Sequence, residues 1–209
     1  MNYRVVDMSR EPRREQFEYF RAMANPYVSV TVNCDITALR RATRGIFLPL
    51  LYCAVNAANA VPELRRRLKG DTVVEYERCL SSHTVALENG SYCYCTLDCA
   101  LPFEDFLPMA QARVAQAKAQ PDLTDGEDAD SLYFVTSVPW LSFTALSLPT
   151  PVPADSNVRI SFGKAFTQDE RTLLPLNLTA HHALADGIHI ARFFEAFEKN
   201  TATLFLPQP

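Results

Sequence analysis

His181-His182-Ala183-Leu184-Ala185-Asp186-Gly187 is the stretch on which the reading of this chain turns. Upstream, residues 172–178 read as a strand. Downstream, Ile190, Phe193, Phe194 and Phe197 recur on one face of a helix that begins near Gly187. The stretch is therefore a strand-to-helix turn, where a rigid scaffold presents side chains. Two of the 4 histidines stand side by side in it. Imidazole, with an unperturbed pKa of about 6.5, suits general-base work, and Asp186 is placed to cap the helix. A structural reading, one ring packed inward and one capping, is equally compatible with the spacing.

Outward from the turn, helices and strands alternate irregularly. Residues 10–23 carry Phe17, Phe20 and Met23 at helical spacing. Residues 27–36 alternate, with Val28, Val30, Val32 and Cys34 on one face of a strand. Asp35 or Thr37 caps a short helix ending near Gly45, and residues 47–61 are apolar all round save Asn56 and Asn59, as in a buried helix. Gly70-Asp71 turns into a strand at 72–76, and Asn89-Gly90 joins strands 82–87 and 91–97 as a hairpin. A helix over 103–119 precedes an acidic loop with Asp122, Asp125, Glu127, Asp128 and Asp130. Strands are predicted at 132–138, 141–148, 158–166 and 172–178. With no repeat and no break in composition, the expectation is an α+β fold, a single domain over 1–209 with a mixed β-sheet flanked by helices.

Composition narrows the function. A chain of 209 residues, 48% hydrophobic and 21% charged, holds a core without staples, which excludes disorder. Lys+Arg 20 against Asp+Glu 24 leaves a net charge of -4, without the basic face that nucleic acid requires. Residues 1–15 lack an apolar export segment, and the longest apolar run, 46–55, contains Pro49 and is too short for a membrane span. No nucleic acid, no membrane and a cytoplasmic location are expected. Six cysteines are present, of which Cys93 and Cys95 fall on one strand face without a second ligand pair. No metal is expected, and the thiols read as reduced.

The motifs together resemble the chloramphenicol acetyltransferase family, within the CoA-dependent acyltransferases. His-His-x-x-x-Asp-Gly is similar to that family's active-site signature. Arg13-Arg14-Glu15-Gln16-Phe17-Glu18, Cys34-Asp35-Ile36-Thr37, Phe47-Leu48-Pro49, Pro62-Glu63-Leu64-Arg65, Pro139-Trp140-Leu141-Ser142-Phe143-Thr144, Leu173-Leu174-Pro175-Leu176 and Asp186-Gly187-Ile188-His189 follow in the family's order.

The resemblance implies acetyl-CoA as co-substrate with no bound cofactor, chloramphenicol as acceptor, and a homotrimer whose active site lies between subunits. It makes His182 the base that deprotonates the acceptor hydroxyl, with attack on the thioester directly and no acyl-enzyme. His181 becomes a packed neighbour, and Asp186 pairs with Arg13. Thr136 stands where the family has an oxyanion-binding serine, and Ser161 where a threonine holds a water. Tyr19, Phe20, Val28, Phe134 and Trp140 fall at substrate-binding positions. Leu48 and Ala165 replace aromatics beside CoA, and Arg159 replaces an apolar residue near the acceptor, so another small hydroxylated acceptor is the alternative.

Overall fold

A computed structural model describes residues 2–126 and 128–206, so Glu127 of the acidic loop lies outside the described residues. The elements in chain order are β1 (Tyr3–Val6), α1 (Arg14–Arg21), β2 (Tyr27–Asp35), α2 (Thr37–Ala42), α3 (Phe47–Asn59), β3 (Arg66–Lys69), β4 (Thr72–Tyr76), β5 (Leu80–Ala86), β6 (Tyr92–Leu97), α4 (Phe103–Ala119), β7 (Leu132–Ser137), β8 (Arg159–Phe162), β9 (Phe166–Gln168), β10 (Arg171–His181) and α5 (Gly187–Thr203). The large sheet runs β2-β10-β8-β7-β5-β6, with β9 hairpinned onto β10. It is mixed: β5, β7 and β8 are parallel and the other pairs antiparallel.

Strand register gives the sheet two unlike faces. Leu174, Leu176, Leu178, Ile160, Phe162, Val135 and Val85 point to one side and are buried with α3 and α5 in a single core. The other side is polar: Ser29 and Thr31 of β2, Asn177 and Thr179 of β10, Ser161 of β8 and Thr136 of β7 lie in register across it. The groups on β2 and β10 bond to one another, Ser29 to Thr179 at 2.8 Å and Asn177 to Thr31 at 3.0 Å.

Helix α3 is buried on nearly every side, as its composition predicts, and its polar exceptions are satisfied. Asn59 donates to the Cys79 carbonyl at 2.9 Å and accepts from the Cys79 N–H at 2.8 Å and the Tyr133 hydroxyl at 3.2 Å. A buried amide without such partners would cost several kcal/mol, about 2–7 by transfer scales. The six cysteines are free and buried.

Four expectations need correction. The segment 141–148 is not a strand. Its apolar alternation presses Phe143 onto the sheet at Gly163, where an added Cβ would meet Phe143 Cε1 at 3.0 Å. The Lys164 N–H donates to the Leu141 carbonyl and the Ser142 hydroxyl to the Lys164 carbonyl, but these bonds do not extend into a ladder, and the proline-rich stretch that follows offers few N–H groups. The N-terminal helix is shorter than 10–23, because a separate turn capped by Asp7 and then Pro12 interrupt it before Arg14. The strand predicted at 158–166 is only the short β8 and β9, whereas β10 runs on to His181. A second sheet, β1-β4-β3, was not anticipated; Glu75 ties it together by accepting from Arg4 at 3.0 Å and Arg66 at 3.3 Å. No described helix is long and apolar enough to cross a membrane.

Candidate active site

Strand β10 ends at His181, and His182 follows it as the first residue of the turn. The His182 Nδ1 lies 3.0 Å from the Ala185 carbonyl. A carbonyl only accepts, so Nδ1 carries the proton and Nε2 keeps its lone pair. Phe20 of α1 stacks on the ring, centroids 3.8 Å apart and planes 21° apart. The His182 backbone N–H donates to the Pro26 carbonyl at 2.7 Å. Backbone, tautomer and ring plane are thus each held by a separate contact.

His181 is 2% exposed and meets Tyr27 edge-on at 5.9 Å. Its Nδ1 accepts from the Ala183 N–H at 3.3 Å, and burial pushes its pKa down to about 4. It packs, as predicted.

Asp186 caps α5. Its carboxylate accepts from the Gly187 N–H at 2.6 Å, while its own N–H donates to His189 Nδ1 at 2.9 Å, a reciprocal capping box. The Gly187 N–H, and after it the Arg13 guanidinium, hold the Asp186 carboxyl below the usual carboxylate range. Arg13 stands 3.3 Å from Asp186 Oδ2 and also donates to the His182 carbonyl at 3.1 Å. Behind the cap, His189 Nε2 lies 3.7 Å from Glu63 Oε1, so two of the quoted motifs meet.

A cavity of about 1140 Å³ opens elsewhere on the sheet. Its cause is a parting of strands. The β5–β7 ladder ends at His83↔Val135; beyond it β5 continues along β6 and β7 along β8. Thr84, Val85 and Ala86 line one side of the opening and Thr136 and Ser137 the other. The cavity therefore reaches both faces of the sheet, touching Phe47 and Val114 on the helix side and Phe134 and Trp140 on the polar side.

The candidate residues fall into two groups. Thr136, Phe134 and Trp140 line the cavity, and Trp140 is 74% exposed. Ser161 is the ladder partner of Thr136, with its Oγ buried and unpartnered among the described residues. His182, Phe20, Arg13 and Asp186 gather at the turn and do not line the cavity. Tyr19 is exposed, edge-on to Phe20 at 5.2 Å, and Val28 packs onto the core face.

Arg159 is buried. It is 5% exposed, gripped by Asp155 through two bonds at 2.9 and 2.7 Å, and lies over the Tyr27 and Phe134 rings at 5.4 and 5.8 Å. The sequence reading missed Asp155 and His83 and quoted Glu63 only within a motif, without its partner His189; of the two missed, only His83, a lone titratable residue within an alternating strand, carried a local signal. Among the described residues no group of three or more His, Cys, Asp or Glu is placed to hold a metal ion.

A mixed sheet of this order, with a histidine turn leading into its covering helix, is the architecture of the CoA-dependent acyltransferases. A truncated catalytic core of the 2-oxoacid dehydrogenase multienzyme complex from Thermoplasma acidophilum shares the fold at a TM-score of 0.68 and 15% identity, over 97% of this chain and 99% of that one. The particular branch is narrower: the family described as chloramphenicol acetyltransferase matches residues 1–198, and the chain belongs to it and is an acyltransferase. It is 30% identical over 207 residues to chloramphenicol acetyltransferase 2 of Escherichia coli, covering 95% of this chain and 96% of that one. A solved chloramphenicol acetyltransferase aligns at a TM-score of 0.86 with 25% identity, over 95% and 99% of the two chains.

Proposed function

We propose that this acyltransferase, as one domain over 1–209, moves the acetyl group of acetyl-CoA to the primary hydroxyl of chloramphenicol and so inactivates the antibiotic. The observation that carries the reading is the His182 tautomer: with Nδ1 committed to the Ala185 carbonyl, Nε2 is a base with an available lone pair. His182 Nε2 takes the acceptor hydroxyl proton as the oxygen attacks the thioester carbon. The oxyanion that forms is met by the Thr136 hydroxyl, and Ser161 Oγ holds a water beside it. Collapse breaks the C–S bond, and the proton on His182 passes to the departing thiolate. Base catalysis of this kind is worth typically ~10²–10⁴ in rate.

Within one chain His182 does not line the Thr136 cavity. That separation supports a homotrimer in which His182 of one copy faces the cavity of the next, as closed cyclic symmetry allows. The site uses no bound cofactor. We place the enzyme in the cytoplasm, where acetyl-CoA occurs and the six free thiols stay reduced.

The test is release of CoA thiol from acetyl-CoA with chloramphenicol, against an analogue lacking the primary hydroxyl. Release with chloramphenicol alone is expected. The buried Arg159–Asp155 pair beside Phe134 favours a second reading, transfer to another small hydroxylated acceptor. Release with such an acceptor and none with chloramphenicol would establish it. Light scattering of a fully active monomer would remove the shared site.

A further inference from the structure

His83 closes the throat of the opening between β5 and β7. It is the last residue of β5 to pair with β7, opposite Val135, and it lines the cavity. The side chain is 1% exposed, and among the described residues neither Nδ1 nor Nε2 makes a hydrogen bond of good geometry. Its surroundings are mostly apolar: the Phe47 ring lies 5.2 Å away, Val135 and Cys95 flank it in register, and the Cys95 backbone partly offsets the burial by favouring a charge there. Burial holds its pKa down to about 4, so the ring is neutral at working pH. A buried polar ring whose nitrogens lack well-formed hydrogen bonds among the described residues is a standing cost, and such exceptions call for an explanation.

We propose that His83 is a specificity-determining residue whose imidazole hydrogen-bonds a neutral amide or hydroxyl group of the substrate threaded through the gap between β5 and β7. Neutral imidazole offers one donor and one acceptor, which matches a secondary amide or a hydroxyl and not a phosphate or carboxylate. The setting agrees, because Phe47 lies against the ring and Val85 and Val114 are also among the cavity's lining residues. Both substrates of the proposed reaction carry such groups, the pantetheine arm of acetyl-CoA and the acetamide and hydroxyls of chloramphenicol. The inference rests on that reaction for its ligands, but its test does not depend on turnover.

The variants are His83→Phe and His83→Leu, which keep bulk and remove both nitrogens, and His83→Gln, which restores a donor and an acceptor. Calorimetric binding of CoA and, separately, of chloramphenicol is measured on the intact protein, together with the melting temperature. One lost hydrogen bond weakens binding about three- to tenfold. That loss is expected with one probe in both apolar variants, with partial recovery in His83→Gln and a melting temperature equal to or above wild type. Loss with CoA assigns the partner to the pantetheine arm, and loss with chloramphenicol assigns it to the acceptor. Unchanged affinity for both probes overturns the proposal, as does a lowered melting temperature with unchanged affinity. Wild type that binds both probes without transferring acetyl defeats the proposed reaction and leaves His83 to the binding result. Wild type that binds neither defeats both.

Discussion

The Arg13 guanidinium holds Asp186 at 3.3 Å and, from the same nitrogen, the His182 carbonyl at 3.1 Å, across 169 residues of sequence. One cation from the N-terminal helix region therefore fixes both ends of the turn that presents the histidine. The Arg13 and Asp186 side chains are 22% and 44% exposed, so solvent screens their attraction.

For this pair we expect Arg13→Ala and Asp186→Ala each to lower stability modestly, with a coupling of about 0.2–1 kcal/mol in the double-mutant cycle. Activity should fall further than stability, because the turn loses its anchor. Strict additivity in both readouts would show that the contact does not act as a unit.

His182→Ala should lower turnover by ~10²–10⁴ with little change in melting temperature. His181→Ala empties a packed position and should act the other way round, on the melting curve first. Calorimetric melts beside steady-state rates separate the two rings; the reverse pattern would move the base to His181.

Thr136→Ala should cost about 10²–10³ in turnover, the usual loss on removing an oxyanion donor. Thr136→Ser keeps the hydroxyl and should retain most of the rate. Equal losses in the two variants would assign the effect to the threonine methyl.

Stability should fall as pH drops from about 6.5 toward about 4. In that window the unfolded chain protonates His83 and His181, whereas burial keeps both neutral in the fold. A histidine with a lowered native pKa contributes fully above its unfolded pKa and is lost below it. Each ring contributes a slope of up to about 1.4 kcal/mol per pH unit. Denaturant midpoints across this range should flatten in His83→Phe; an unchanged slope would mean that His83 protonates in the fold.

Asp155→Asn should leave Arg159 charged and buried, at about 3–5 kcal/mol by the usual cost of breaking such a pair. Asp155 also accepts from the Tyr27 hydroxyl at 3.2 Å, so the loss should reach the packing around His181. Chemical denaturation of the variant measures it; a loss below about 1 kcal/mol would mean that water reaches the guanidinium.

Local signals in the chain are strong where one element decides the outcome. The Asn89-Gly90 hairpin, the all-round apolar α3 and the Asp186 cap each follow from residues within a few positions of one another. What failed depended on distant partners. The 141–148 stretch alternates like a strand, but period two cannot say whether a neighbour is there to pair. β3 is short and rich in arginine, and what holds it in a sheet is Glu75 on the neighbouring strand opposite Arg66. The parting of β5 from β7 leaves no mark in either strand, since each keeps its other neighbour. The two halves of the candidate site were therefore legible as residue types, and their separation within one chain was not.

β10 has a consequence for how the protein is made. It lies between β2 and β8, yet it is the last strand to be synthesised, and its partner β2 precedes it by most of the chain. Until it leaves the ribosome, β2 has no neighbour in the large sheet and β8 has an open edge. Closure must wait for contacts of high sequence separation, which slows folding and prolongs exposure of unpaired apolar strands. The same strand ends in the histidine turn, so a nascent chain positions His181 and His182 only when the sheet is complete.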